Sequence, residues 1–116
     1  MRALIYKIVT GEAWIAAEAQ GSFDGAPVDL ADGFIHFSTA EQLRETAAKH
    51  FAGMKGLLLV AVDPEAFGEA LKWEVSRGGA LFPHLYGQLP MSAVEWTRPL
   101  PLGHDGGHLF PPEIAA

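Results

Sequence analysis

The groups in this sequence best suited to chemistry are two imidazoles, each two residues from a hydroxyl. His36 and Ser38 lie in Asp32-Gly33-Phe34-Ile35-His36-Phe37-Ser38-Thr39, and His84 and Tyr86 lie in Pro83-His84-Leu85-Tyr86-Gly87. Extended chain sends alternate side chains to opposite faces. Phe34, His36 and Ser38 therefore share one face while Ile35 and Phe37 take the core, and His84 and Tyr86 share a face opposite Leu85. A neutral imidazole donates and accepts, and it titrates near neutral pH. A neighbouring hydroxyl can fix its tautomer or hold a ligand oxygen. The plainer alternative makes His36 a half-buried side chain satisfied by a carbonyl, Ser38 a helix cap and Tyr86 a core lid with its hydroxyl in water. A helix start directly after the His36 strand favours a site, because free N–H groups there attract anions.

Arg77-Gly78-Gly79 precedes the second pair. An arginine offers a planar fork for phosphate or carboxylate, and glycine lets a ligand approach the backbone closely. Lys7 interrupts an otherwise apolar strand, which places it at an edge or pointing into a site. Other candidates have stronger structural explanations. Lys72 and Glu74 share a strand face as a solvated pair of little energetic worth. Asp29 and Asp32, in a loop with Gly25 and Pro27, read as turn formers. His50 closes a helix, where it meets the macrodipole favourably. His104 and His108 have zinc-like spacing but lack the further ligands of a closed site. No nucleophile elbow, Walker loop or dinucleotide fingerprint is present.

The elements that must position these groups follow from periodicity and punctuation. A strand spans 4–9, and Thr10 caps a helix over about 11–19 anchored by Trp14. Residues 20–32 form a turn-rich connection, and connections of this length are functional or mobile. After the His36 strand, Ser38 with Glu41 and Thr39 with Gln42 both have capping-box spacing. Leu43, Ala47, His50 and Phe51 then make a buried helical stripe. The run 57–62 is apolar throughout, as in a strand covered on both faces. Residues 71–76 alternate like a half-exposed strand, and a last strand spans 93–100 with Val94 and Trp96 inward. From Pro101 onward the chain is Gly/Pro-rich, without periodicity, and is expected to be poorly ordered. The sum is an α+β domain over 1–100 with a tail over 101–116.

Composition narrows the function classes. The 116 residues suffice for one domain and one core. Cysteine is absent, which excludes disulfides, thiolate metal sites and cysteine nucleophiles. The net charge of -6, with basic residues scattered singly, argues against a nucleic-acid partner and against a polybasic membrane anchor. No segment reaches the roughly 20 apolar residues of a membrane span, and the first residues lack a signal peptide's pattern. The expected location is the cytoplasm.

Ile5-Tyr6-Lys7-Ile8, the Asp32 to Thr39 stretch with Gln42, Trp73-Glu74, Arg77-Gly78-Gly79 and Phe82-Pro83-His84-Leu85-Tyr86-Gly87 together resemble one small bacterial family. It is catalogued as a domain of unknown function, number nine-five-two, and the resemblance runs over about residues 3–100. It implies the ADP-ribosyltransferase-like fold near the RNA 2′-phosphotransferases, a split sheet of about six strands with two or three helices. Members of that branch carry a Leu-Tyr-His-Gly-Thr first strand, a His-Leu-Ser strand entering a helix and a late strand beside the ligand. Tyr6-Lys7, His36-Phe37-Ser38 and His84 to Tyr86 fall on these.

The resemblance implies a transferase that binds an NAD-like or phosphate-bearing small ligand between two small sheets. In it His36, assisted by Ser38, would orient ribose or phosphate. Arg77, Gly78 and Lys7 would hold the cofactor, and His84 and Tyr86 would line the reacting side. Lys7 stands where that superfamily commonly has a ligand-holding His, and neither Glu74 nor Glu95 falls in a motif for a catalytic Glu. Both departures favour a second expectation, a non-catalytic module for a small anionic metabolite or a protein partner.

Overall fold

The computed structural model describes residues 3–114, apart from the side chain of Arg77. The chain runs β1 (Ile5–Thr10), α1 (Gly11–Gln20), β2 (Ser22–Phe23), α2 (Pro27–Asp32), β3 (Ile35–His36), α3 (Leu43–His50), β4 (Leu57–Val62), β5 (Leu71–Val75), β6 (Leu81–Leu85), β7 (Leu89–Pro90) and β8 (Val94–Pro99), with short 3-10 turns before β5, β6 and β8. The strands form three small antiparallel sheets, ordered β1-β4-β8, β3-β6-β5 and β2-β7. The architecture is mixed α+β. Eight strands stand where about six were expected, because β2 and β7 have two residues each, too short to leave a periodic signal. The connection over 20–32 is likewise structured, holding β2 and α2.

Alternation along the apolar strands builds two cores on opposite faces of the β1-β4-β8 sheet. Ile5, Val9, Val60 and Val62 face Trp14 of α1, Ile35 and Leu85, while Tyr6, Ile8, Leu57, Leu59 and Ala61 face Leu43, Ala47 and Ile114. The central strand β4 is covered on both faces, as its unbroken apolar run requires. Val94 and Trp96 of β8 are half-buried and pack against opposite cores, because a bulge shifts the β4–β8 register between Ala61 and Val62. Among the described residues no helix is long and apolar enough to cross a membrane.

The helix ends follow the local chemistry. Thr10 Oγ1 accepts from the Ala13 N–H at 3.1 Å, and Gly21 at φ 96° closes α1. Thr10→Ala is expected to lower stability by about 1 kcal/mol, read as a shift in urea midpoint, because that N–H loses its partner. Thr39 and Gln42 form the reciprocal box, with bonds of 3.0 and 3.3 Å, and α3 begins at Leu43. Ser38 forms no box with Glu41. Its backbone pairs with Tyr6, and its Oγ lies 3.0 Å from Thr46 Oγ1. The turn over 39–42 thus separates β3 from α3, and the helix start does not follow His36 directly. His50 is exposed rather than part of the buried stripe.

The segment after β8 packs back instead of fraying. Leu102 bridges His108, the His108 ring bonds the Met54 carbonyl at 2.9 Å, Arg98 pairs with Glu113 at 2.8 Å, and Ile114 is buried in the second core. Contacts made from so far along the chain are invisible to local composition.

Candidate functional site

Lys7, His36, Ser38 and His84 line one cleft of about 630 Å³. It opens where β1 of the first sheet meets β3 and β6 of another, tied by the Tyr6–Ser38 bridge. Register brings the imidazoles together: His36 and His84 are directly opposed on β3 and β6, with ring centres 5.3 Å apart. Phe34, on the same face as His36, stacks on His84 at 4.1 Å and lies 4.6 Å from His36. Val28, Met54 and Phe82 supply apolar wall.

The residue that organises the cleft is Asp29, 1% exposed. Its Oδ1 and Oδ2 each lie 3.0 Å from Lys7 Nζ. Oδ1 also accepts from His36 Nδ1 at 2.6 Å and the His36 N–H at 3.1 Å, and Oδ2 accepts from the Ala26 N–H at 2.7 Å. The sequence placed Asp29 among turn formers. It does sit in the first turn of α2, where Gly33 at φ 87° then reverses the chain into β3. That reversal carries His36 back onto Asp29.

Burial alone would raise the Asp29 carboxyl. The His36 hydrogen bond, the Lys7 charge and the two backbone N–H groups outweigh it and hold the pKa at about 2. Lys7, 7% exposed, is shifted the other way from a fully satisfied ammonium. Burial pulls its pKa below the ordinary lysine value, and Asp29 returns only part of that. His36 Nε2 meets Asp32 Oδ2 at 2.9 Å. Both its ring nitrogens thus face carboxylate oxygens.

His84 differs. It is buried on β6, with Nδ1 2.8 Å from Glu74 Oε1, and Tyr86 donates to the same oxygen at 2.8 Å. These bonds, from His84 first, lower the Glu74 pKa, and the one to Glu74 is the chief cause raising that of Tyr86. Glu74 is therefore more than one half of a solvated pair with Lys72. With Nδ1 committed, His84 Nε2 has no partner among the described residues. No fully sealed polar side-chain atom among the described residues lacks a partner, so Nε2 is not sealed, and His84 lines the cleft.

The expected residues thus divide. Lys7, His36, Ser38 and His84 come together. Tyr86 is 41% exposed and joins through Glu74 and the Phe34 ring, 5.2 Å away, and Gly78 turns at φ 65° without lining the cleft. The side chain of Arg77 lies outside the described residues. Asp29, Glu74 and Thr46 were missed. Asp29 alone had a signal, since a lysine inside an apolar strand demands a buried carboxylate and few aspartates precede β3.

Comparison with known proteins adds kinship. Residues 8–97 match a family described as "Protein of unknown function (DUF952)". The crystal structure of protein CC0527 from Caulobacter crescentus is 57% identical, with a TM-score of 0.88 over 91% of this chain and 93% of that one. The solution structure of the same protein gives 58% and 0.82 over 90% of each. No curated protein matches significantly.

Proposed function

The chain belongs to the DUF952 family, and we propose that it binds an NAD-like, phosphate-bearing small molecule in the Lys7–His84 cleft, as a transferase of the ADP-ribosyltransferase-like superfamily. The observation that carries the reading is the unsealed Nε2 of His84, in one cleft with Lys7, His36 and Ser38 at the meeting of two sheets. The volume of about 630 Å³ is that of a small-ligand site. The unpartnered Nε2 of His84 suits a phosphate or ribose oxygen, with the Lys7 charge beside it, and Phe82, Met54 and Val28 suit a flat ring.

A thermal-shift titration with NAD, ADP-ribose, nicotinamide mononucleotide and a 2′-phosphorylated nucleotide tests it. A ligand that binds only the folded state raises the melting temperature by mass action. Asparagine reproduces the Nδ1 side of an imidazole and removes Nε2. His84→Asn is therefore expected to keep its bond to Glu74 and to stay folded, with a melting temperature lowered by the lost stacking on Phe34, but to lose the ligand shift. A shift unchanged in His84→Asn removes His84 from the site, and no shift with any of the four rejects the ligand class.

One observation favours the second reading, a non-catalytic module. Glu74, the carboxylate nearest His84, is bonded to His84 and Tyr86 and does not line the cleft. Binding without consumption of NAD selects the module, and turnover selects the transferase.

A further inference from the structure

The other side of β1 carries a second cavity. Tyr6, Trp73 and Trp96 wall a hollow of about 670 Å³, and Glu41, Glu65 and Glu113 stand on it, with no lysine, arginine or histidine among the described residues that line it. Tyr6 points away from Lys7 and packs with Trp96, their ring centres 5.8 Å apart. It is 6% exposed, yet its hydroxyl has no hydrogen-bond partner among the described residues. No fully sealed polar side-chain atom among the described residues lacks a partner, so that hydroxyl is not sealed; Tyr6 borders the His84 cleft as well, but its ring packs on Trp96, which lines this cavity alone. A buried tyrosine ordinarily satisfies its hydroxyl within the protein. Burial first, then the charges of Glu41 and Glu113, raise its pKa, which puts the phenol in the negative field of two glutamates that line this cavity.

One corner already holds a cation. The Arg98 guanidinium lies 5.2 Å over the Trp96 ring and 2.8 Å from Glu113. Indole face and carboxylate act together there on a positive group. Trp73, 47% exposed on β5, offers a further indole, and no described lysine, arginine or histidine lines the cavity beside it.

We propose that this cavity binds a small aliphatic ammonium ion, with Trp73 and Trp96 against its alkyl chain and charge, Glu41 and Glu65 balancing that charge, and the Tyr6 hydroxyl accepting an N–H. An ammonium carries three donors and no acceptor, which matches a lining of carboxylates and an unpartnered oxygen. A phosphate or carboxylate ligand would be repelled. The inference is independent of what occupies the His84 cleft.

The probe is 1,5-diaminopentane, with 1,5-pentanediol as its neutral counterpart, titrated against tryptophan fluorescence of the full chain. The diamine is expected to give a saturable change and the diol none. Tyr6→Phe, Trp73→Leu and Glu41→Gln are each expected to weaken the diamine by about tenfold, the scale of one lost charged or cation–π contact. Glu12→Gln, on the exposed surface of α1, changes net charge as Glu41→Gln does and is expected to leave binding unchanged. The proposal is overturned if the diol binds as well, if no saturable change occurs, or if Tyr6→Phe and Trp73→Leu bind like wild type. It is equally overturned if Glu12→Gln weakens the diamine as much as Glu41→Gln, since general attraction to an acidic protein then accounts for the signal.

Discussion

Asp29→Ala is expected to cost about 3–5 kcal/mol of folding stability, measured by urea denaturation, because it leaves a buried ammonium without its counter-charge. Against a total of about 5–15 kcal/mol for a domain, such a loss approaches unfolding. Lys7 sits on the face of β1 that also carries Ile5 and Val9 into the first core, and Asp29 of α2 supplies its counter-charge there. The substitution also removes the acceptor for His36 Nδ1 and for the N–H groups of His36 and Ala26. The companion variant separates these effects. Lys7→Met fills the site with an apolar chain of similar length, and Lys7→Met with Asp29→Ala is expected to regain about 2 kcal/mol over Asp29→Ala alone, a coupling typical of residues in contact. A double variant no more stable than Asp29→Ala would show that the lost acceptor, rather than the stranded cation, is what the fold requires.

Such a pair is a poor device for stability alone, since apolar replacements of buried ion pairs are often neutral or stabilising. Its retention here has a geometric consequence. One carboxylate fixes Lys7 from β1 and His36 from β3, which belong to different sheets, and so sets the width of the cleft between them.

How far the sequence reveals this arrangement depends on the range of each interaction. The Ile35/Phe37 alternation, the Thr39–Gln42 box, the Thr10 cap and the buried β4 are local or periodic, and each could be read directly. The four cleft residues could be named because a polar group on an apolar strand stands out, as Lys7, His36, Ser38 and His84 all do. Their partners could not. Asp29 reaches Lys7 across 22 positions and His84 reaches Glu74 across 10, and the turn chemistry of Gly25 and Pro27 masks the first of these. Ser38 shows the converse error: its capping spacing is correct, but the bridge to Tyr6 fixes its backbone as extended chain and hands its hydroxyl to Thr46. The tail follows the same logic, since Ile114 is ordered by a core built from distant strands.

The same carboxylate predicts acid sensitivity. The Asp29 pKa is about 2 in the folded protein, against an ordinary value of 3.8. A carboxyl whose folded pKa is depressed adds stability that is fully present above the unfolded value and is lost as pH falls through the folded one. The window therefore runs from about pH 4 down to about pH 2. Nearly two pH units at about 1.36 kcal/mol each make the loss about 2 kcal/mol. Urea midpoints taken from pH 6 to pH 2 are expected to fall by that amount beyond the decline of the Lys7→Met, Asp29→Ala double variant, in which neither charge is present. Lys7 is not the source of this limb, because its ammonium stays protonated in both states across the window, and its depressed pKa acts instead toward alkaline pH, where losing the buried charge favours the fold. Parallel acid limbs in wild type and double variant would mean that other carboxylates set the acid response and that Asp29 is held less tightly than its five contacts imply.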